Sequence, residues 1–262
     1  MSAIFKPGNK EGSIAQSKTV SLDPLVNLLA EDMQAVNAMI MQRLASDVPL
    51  IPELAGHLIA AGGKRIRPMM TLAGAKIVQN ENSKNDIVIG LATAVEFIHS
   101  ATLLHDDVID ESNLRRGRDT ANALWGNEAS VLVGDFLFAR AFELMVEAGN
   151  INVLGRLASA SAQITKGEIK QMTIAGRPDI SQETYFEVIT GKTAILFAAA
   201  AAAGAQIAGA DDNDVGVMHD YGLQLGLAFQ IMDDAMDYTV TAASMGKNAG
   251  DDFHEQKITL PV

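Results

Sequence analysis

Cysteine is absent from the sequence, and its absence excludes two kinds of site. Without thiol groups the chain forms no disulfide and no thiolate-bound metal centre, which fits a reducing compartment. Aromatic residues are also few, at 5% of the chain, and no segment shows the alternating pattern that is typical of β-strands. Alanine, leucine, isoleucine and methionine dominate the 48% of residues that are hydrophobic. The composition therefore favours an all-α fold, and we predict one bundle of about ten helices.

Basic residues are scarce too, with 20 lysines and arginines against 32 aspartates and glutamates and a formal net charge of −12. Such an acidic chain is unsuited to the phosphate backbone of DNA or RNA, so we expect no nucleic-acid partner. The one candidate membrane span, residues 193–210, is mostly alanine and contains Gln206, which indicates a buried core helix. No secretory signal is visible, and we predict a cytoplasmic protein.

The polar residues 1–20 are predicted to form a flexible N-terminal tail, and residues 21–262 to form one folded domain. At the start of that domain, Ser21 is a candidate cap for a helix whose apolar positions run at helical spacing from Leu22 to Leu44. The apolar face of this helix suits a dimer interface as well as an intrachain core.

Part of the acidic excess lies in two clusters, and the first is in residues 96–117. One face of a predicted helix there carries four polar residues at spacings of three and four: His99, Thr102, Asp106 and Asp110. Carboxylates four residues apart on a helix lie roughly 6 Å apart and repel, and burying them is costly without a cation between them. Arg115 and Arg116 follow in a polar loop. Acidic groups beside two guanidinium groups indicate a metal-bridged phosphate or diphosphate.

A second acidic cluster repeats this spacing in residues 229–238. Asp233 and Asp237 are again four residues apart within an apolar helical pattern, and Gln230 lies one turn before them. A single aspartate run more often marks a solvated helix face. Two such runs, each embedded in an apolar segment, indicate a pair of metal-binding helices that face one another.

Two further segments place cations where an anion could bind. Residues 62–68, GGKRIRP, combine two glycines, three cations and a proline that opens the next helix, which suits an anion held by backbone and basic side chains. The alternative is an ordinary basic turn. Residues 191–193, GKT, interrupt a helical pattern without the preceding glycines of a Walker loop. Lys192 enters an apolar helix there, so it needs a partner.

Two chemistries compete for such a constellation. The first is ionisation of an allylic diphosphate, in which cations neutralise the leaving diphosphate and an apolar cavity protects the carbocation from water. The second is phosphate-ester hydrolysis with His105 and Asp106 as metal ligands, but none of the five histidines pairs with another at helical spacing. A carboxylate-bridged di-iron centre is weaker still, because such a centre needs two Glu-x-x-His motifs and the chain contains one, at Glu96 and His99.

The ordered motifs GGKRIRP, LLHDDVIDESNLRRG, GKT, FQIMDDAMDY, GK and GDDFHEQKITLP resemble those of the trans-isoprenyl diphosphate synthases, the polyprenyl synthetase family. The resemblance is greatest to the long-chain octaprenyl and decaprenyl members of that family. The resemblance spans residues 22–262. It implies an all-α catalytic domain around a central cavity and a homodimer. It also implies Mg²⁺-dependent, successive addition of isopentenyl diphosphate to an allylic diphosphate such as farnesyl or geranyl diphosphate.

The resemblance assigns roles by motif position. It implies Mg²⁺, with three ions per site once diphosphate is bound, on Asp106, Asp110, Asp233 and Asp237. It implies that isopentenyl diphosphate is bound by Lys64, Arg67, His99 and Arg116. It implies that the allylic diphosphate faces Arg115, Lys192, Thr193, Gln230, Lys247 and Lys257. The residues expected to act in catalysis are Asp106, Asp110, Arg115, Lys192, Asp233 and Asp237.

Product length is predicted from the wall of the first acidic helix. Short-chain members of the family carry aromatic rings at the places of Ala101 and Thr102, whereas both side chains are small here. The resemblance then implies a C40–C50 product for the side chain of a quinone such as ubiquinone, and peripheral membrane contact through that product. We expect Phe138 or Phe142 to close the tunnel lower down.

Two departures from the family pattern accompany the resemblance. Gln256 stands where the family often has glycine, and the family's chains continue with further helices past the segment that ends here at Val262. Three alternatives remain open. They are a farnesyl or geranylgeranyl diphosphate synthase, a non-catalytic subunit of a heteromeric synthase, and a terpene cyclase, against which the basic segment at 62–68 and His99 argue.

Overall fold

The computed structural model describes residues 21–60, 62–78, 85–177, 179–239 and Thr259. The predicted tail at 1–20, together with Lys247, Gln256 and Lys257, lies outside the described residues. The α-helices in the described part are α1 (Asp23–Leu28), α2 (Ala30–Arg43), α3 (Leu50–Ala60), α4 (Ile66–Val78), α5 (Asn85–Ile109), α6 (Ala121–Trp125), α7 (Asn127–Glu147), α8 (Ile151–Ile174), α9 (Gln182–Ile189), α10 (Ile195–Ile207) and α11 (Asp212–Thr239). The prediction of an all-α bundle of about ten helices is confirmed.

Two short strands lie between α5 and α6, where the sequence predicted only a polar loop. Strand β1 (Leu114–Arg115) pairs antiparallel with β2 (Arg118–Asp119), so that Leu114 is opposite Asp119. Strands of two residues are too short for their alternation to be recognised in a sequence. We call residues 114–119 the arginine hairpin, because Arg115 and Arg116 lie on it.

The first predicted helix is divided into α1 and α2 at Leu29. Leu22 occupies the N-cap position that was expected for Ser21. Ser21 lies one residue earlier, and its Oγ accepts a hydrogen bond from the backbone N–H of Asp23 at 3.0 Å. Val36, Ile40 and Leu44 are buried, so the apolar face of α2 packs into the core of the same chain.

Helix α10 lies at the centre of the bundle. Its residues 195–205 are all buried, and it packs against α4, α5, α8 and α11. A helix surrounded on every side is apolar all round, and its alanines allow each neighbour to approach closely. Two helical stretches, Asn85–Ile109 and Gln182–Ile207, are long and apolar enough to cross a membrane, but 78% and 83% of their most apolar windows are buried inside the protein. The prediction of a core helix at 193–210 agrees with this packing.

Glycines bring the backbones of α4 and α11 into contact with α10. A Cβ atom added at Gly204 would overlap the carbonyl oxygen of Thr71, and one added at Gly74 would overlap that of Ala201. On the other side, a Cβ at Gly222 would lie 2.5 Å from the Phe197 carbonyl oxygen. These contacts fix α4, which carries Arg67, and α11, which carries the second acidic cluster, at set distances from α10.

The glycine contact predicts a measurable asymmetry between two glycine-to-alanine substitutions. Gly204→Ala is expected to lower the free energy of unfolding by about 1–3 kcal/mol, because the new methyl group must push α4 away from α10. Gly155→Ala in α8 is the matched control, since nothing lies within 4 Å of its added Cβ, and it is expected to stabilise by up to about 1 kcal/mol. Urea denaturation followed by circular dichroism measures both. Equal stability of the two variants would contradict the packing described.

Candidate active site

One cavity of about 410 Å³ contains most of the residues that the sequence singles out. It opens among the C-terminal parts of α5, α8 and α11. Of the predicted site residues, those that line it are Arg67, His99, Asp106, Asp110, Arg115, Arg116, Lys192, Thr193, Gln230, Asp233 and Asp237. Lys64 is exposed on the loop before α4 and is not among the lining residues. Tertiary structure thus brings two acidic helices and three basic segments to one place.

The outer aspartates of the first cluster are set for a cation. Asp106 lies on the cavity side of α5, and burial raises its pKa to about 7, with the nearby carboxylates of Glu168 and Asp110 adding to the increase. Lys192 and Arg115 oppose that increase. Because a bound cation would favour the ionised carboxylate, this uncompensated negative charge fits a divalent metal.

The middle aspartate of the first cluster has a different role, which the sequence did not reveal. Asp107 is 1% exposed and accepts hydrogen bonds from Arg115, whose Nε lies 2.9 Å and whose Nη2 lies 2.6 Å from its Oδ1. Adjacent residues on a helix point about 100° apart, so Asp107 faces away from Asp106. This buried ion pair orients the Arg115 guanidinium group, which still lines the cavity.

A second network organises the other acidic cluster. Asp234 is buried and accepts hydrogen bonds from the Tyr185 hydroxyl at 2.6 Å and from Gln230 Nε2 at 2.7 Å. Gln230 Oε1 in turn accepts the hydroxyl hydrogen of Thr193 at 2.6 Å. Burial raises the pKa of Asp234, and the hydrogen bonds from Tyr185 and Gln230 lower it. Asp234 therefore serves as an anchor between Asp233 and Asp237, and Tyr185 is a site residue that sequence reasoning missed.

The prediction that Lys192 needs a partner is confirmed. Its Nζ lies 3.1 Å from Glu168 Oε2 and 3.0 Å from Gln171 Oε1, both on α8. The lysine belongs to a π-helical segment, Thr190–Ala194, in which each turn contains an extra residue. A Cβ atom added at Gly167 would lie 2.6 Å from the backbone nitrogen of Lys192, so the glycine lets the π-helical segment approach α8 closely. The bulge places Lys192 and Thr193 together on the cavity wall.

The basic side of the cavity centres on Arg67 and His99. Arg67 Nη1 donates to His99 Nε2 at 3.1 Å, and its guanidinium carbon lies 4.6 Å from the centre of the Phe197 ring. Burial, together with the surrounding arginines, lowers the pKa of His99, so the ring is neutral and able to accept this bond. Burial lowers the pKa of Arg67 to about 10, which leaves it charged at neutral pH.

The loop before Arg67 is held by another buried pair. Arg65 has a positive φ of 44° and donates to Glu96 Oε1 at 2.7 Å. A left-handed backbone at a non-glycine residue needs such an outside contact to persist. Glu96 lies on α5 three residues before His99, so the same helix fixes the loop and the histidine.

The cavity wall below the acidic residues is apolar. Thr102 and Leu103 of α5, Val188 and Ile189 of α9, and Phe229 of α11 line it. Ala101 is fully buried beside Thr102. The expected floor residues are placed elsewhere. Phe138 packs against the core, and Phe142 is 39% exposed on α7. Neither lines the cavity, because the face of α7 on which Phe142 lies points outward.

A metal ion in this cavity would need ligands from its substrate as well as from the protein. Within the described ranges, no three histidine, aspartate or glutamate side chains are grouped closely enough to hold an ion by themselves. Mg²⁺ is commonly held by one or two carboxylates together with waters and substrate phosphates. The outer aspartates on α5 and α11 suit this mode, since the cavity between them has room for a diphosphate.

Comparisons with known proteins agree with the geometry. Residues 48–262 match the family model described as polyprenyl synthetase. The chain is 46% identical over 243 residues to the octaprenyl diphosphate synthase of Escherichia coli strain K12, covering 93% of this chain and 74% of that one.

Solved structures give the same result. The polyprenyl synthase from Caulobacter crescentus CB15, complexed with calcium and isoprenyl diphosphate, has 55% identity and a TM-score of 0.89, over 93% of this chain and 74% of that one. A decaprenyl diphosphate synthase from Rhodobacter capsulatus has 54% identity and a TM-score of 0.86, over 92% and 74% of the two chains. Sequence, fold and cavity therefore agree that this chain belongs to the polyprenyl synthetase family of prenyltransferases.

Proposed function

We propose that the chain is a Mg²⁺-dependent, long-chain trans-polyprenyl diphosphate synthase. It adds isopentenyl diphosphate repeatedly to an allylic diphosphate, farnesyl or geranyl diphosphate, and releases a product of C40–C50. The observation that carries the proposal is the single cavity in which two acidic helices, α5 and α11, face basic groups from three other segments. The names of the similar octaprenyl and decaprenyl synthases support a long product.

The reaction begins with cleavage of the bond between C1 of the allylic chain and its diphosphate oxygen. Mg²⁺, when bound by Asp106, Asp110, Asp233 and Asp237, supplies charge neutralisation for the leaving diphosphate, with three ions in the loaded site. Lys192 and Arg115 add positive charge on the same side. Thr193 and Gln230 line the wall where their oxygen dipoles can face the allylic cation.

Chain extension follows from the second basic group. Arg67, His99 and Arg116 bind the diphosphate of isopentenyl diphosphate, with Lys64 beside them, and hold its double bond toward the cation. C4 of isopentenyl diphosphate forms the new bond to C1 of the allylic cation, which leaves the positive charge on C3 of the isopentenyl unit. A proton then leaves C2 of that unit to the released diphosphate, and a new double bond forms between C2 and C3. The apolar wall formed by Val188, Ile189 and Phe229 excludes water that would otherwise capture the cation.

The oligomeric state and the cellular location of the enzyme are further parts of the proposal. The outer face of α7 carries exposed Leu132, Phe142 and Val146, at 67%, 39% and 64% exposure, and this apolar face suits contact with a second copy in a homodimer. Both acidic clusters and the arginine hairpin are intact, which argues against a silent subunit of a heteromer. We place the enzyme in the cytoplasm, in peripheral contact with the membrane through a product used for the side chain of a quinone such as ubiquinone.

Loss of an outer aspartate tests the metal assignment and the activity together. Asp106→Ala and Asp233→Ala are each expected to reduce kcat/KM by roughly 10²-fold or more, because charge neutralisation of the leaving diphosphate is lost. The measurement is incorporation of labelled isopentenyl diphosphate in the presence of Mg²⁺. Asp220→Ala is the control, since that side chain is 81% exposed on the same helix as Asp233. Normal turnover by either cavity variant would refute the metal assignment.

The division of the two substrates is tested at Arg67. Arg67→Ala is expected to raise KM for isopentenyl diphosphate by roughly 10–100-fold, because a charged hydrogen bond is worth about 1.5–3 kcal/mol. KM for the allylic substrate should change by less than about threefold. Steady-state kinetics with each substrate varied in turn gives both constants, with the exposed Arg177→Ala as control. Equal changes for the two substrates would rule out the division.

Product length is tested at Thr102, which lines the cavity one turn before Asp106. Thr102→Phe is expected to shorten the product to about three or four isoprene units, because the ring fills the volume that the next unit needs. Thr102→Ser is the matched control and should leave the length unchanged. Mass analysis of dephosphorylated products measures both. A wild-type product of fifteen or twenty carbons would favour the shorter-chain alternative.

A further inference from the structure

The arginine hairpin has a turn that needs outside support. Its two turn residues have positive φ, 52° at Arg116 and 75° at Gly117, which is the pattern of a type I′ turn. Glycine adopts this conformation freely, whereas arginine is strained in it. In addition, Arg116 and Arg67 line the same cavity, so their like charges repel. Before a diphosphate arrives, other contacts must hold Arg116 in place.

The inner side of the hairpin is fastened to the end of α5. The ion pair of Arg115 with Asp107 is one such contact. Thr120 Oγ1 donates to the carbonyl oxygen of Ser112 at 2.7 Å, and Asn122 Nδ2 donates to the carbonyl oxygens of Asp107 and Ser112 at 3.2 and 3.1 Å. These bonds fix the base of the hairpin relative to the first acidic cluster.

The outer side of the hairpin is held by His57 of α3. Its Nε2 lies 2.8 Å from the carbonyl oxygen of Asp119, and because a carbonyl can only accept, the imidazole donates. The His57 ring lies edge-on to Trp125, with ring centres 5.3 Å apart and planes at 75°. His57 is not among the residues that line the cavity, so it does not touch a substrate there.

The same helix leads into the basic loop at residues 62–65. A Cβ atom added at Gly63 would lie 2.9 Å from Arg116 Nη1, so the guanidinium group packs closely against the backbone of Gly63. Helix α3 thus contacts the hairpin through His57 and precedes, along the chain, the segment that meets Arg116 and leads to Arg67. The spacing between the two arginines depends on α3 and the hairpin being held together.

We propose that His57 is a positioning residue for isopentenyl diphosphate, and this role rests on the function proposed above. Its hydrogen bond to the carbonyl oxygen of Asp119 holds the arginine hairpin against α3. This contact sets the distance between the guanidinium groups of Arg116 and Arg67 when both bind one diphosphate. Trp125 is the single tryptophan of the chain, and its contact with His57 makes its fluorescence a reporter of this arrangement.

The test uses two substitutions that separate the hydrogen bond from the ring contact. His57→Phe keeps an aromatic ring beside Trp125 but removes the donor, whereas His57→Gln keeps a donor of similar reach. His57→Phe is expected to raise KM for isopentenyl diphosphate about fivefold to tenfold with kcat and the allylic KM within about twofold, a change of the size given by one lost hydrogen bond. His57→Gln should restore most of the affinity, and His219→Gln on α11 is the control.

Fluorescence of the full chain completes the experiment. Titration of isopentenyl diphosphate into the wild type should change Trp125 emission, with a midpoint that shifts upward in His57→Phe. Two results would overturn the role of His57 but not the proposed function. They are equal KM changes for both substrates, or a normal KM for isopentenyl diphosphate in His57→Phe, while the wild type is active. A wild type that neither incorporates isopentenyl diphosphate nor responds in fluorescence overturns the proposed function, and this role with it.

Discussion

The concentration of negative charge in one cavity is the constraint on which the rest of the site depends. Asp106, its pKa raised to about 7 by burial and by Glu168, shows that the protein does not fully compensate this charge. The nearby cations are already engaged, since Lys192 contacts Glu168 and Arg115 contacts Asp107. Added cations would reduce the repulsion between these carboxylates and an anionic substrate. The pairing of these side chains thus gives a physical reason for the Mg²⁺ that we propose at this site.

The two acidic motifs divide their aspartates in the same way. In each, the outer carboxylates line the cavity, and the middle one is buried and accepts hydrogen bonds from other site residues. Asp234 also lines the cavity, whereas Asp107 does not. Asp107 orients Arg115, and Asp234 binds Tyr185 and Gln230. Since neighbouring helix positions point about 100° apart, a motif of this spacing supplies both an anchor and a ligand pair. The two acidic motifs therefore resemble each other in the roles of their residues as well as in their spacing.

Close helix contacts give these side chains their fixed separations. Glycines let α4 and α11 touch the backbone of α10, and Gly167 lets the π segment touch α8. Each contact joins an element that carries a site residue to the central helix or to its neighbour. The side chains that line an open cavity are not packed on every side, so they do not fix the distances between one another. The rigid core beneath the cavity fixes those distances. Catalytic geometry in this protein is built on contacts that lie outside the cavity.

The sequence by itself determined the helical class, the outer aspartates and the basic segments, because helical spacing and burial of charge are local patterns. It also showed that Lys192 needed a partner. Tertiary structure decided which partner, since Glu168 and Gln171 lie on another helix. Likewise Tyr185 and His57 act through contacts with residues distant in the chain, at Asp234 and Asp119. The expectation that Phe142 closes the tunnel was wrong for the same reason. A helical sequence pattern shows which residues share a face of the helix, whereas only packing determines which face meets the cavity.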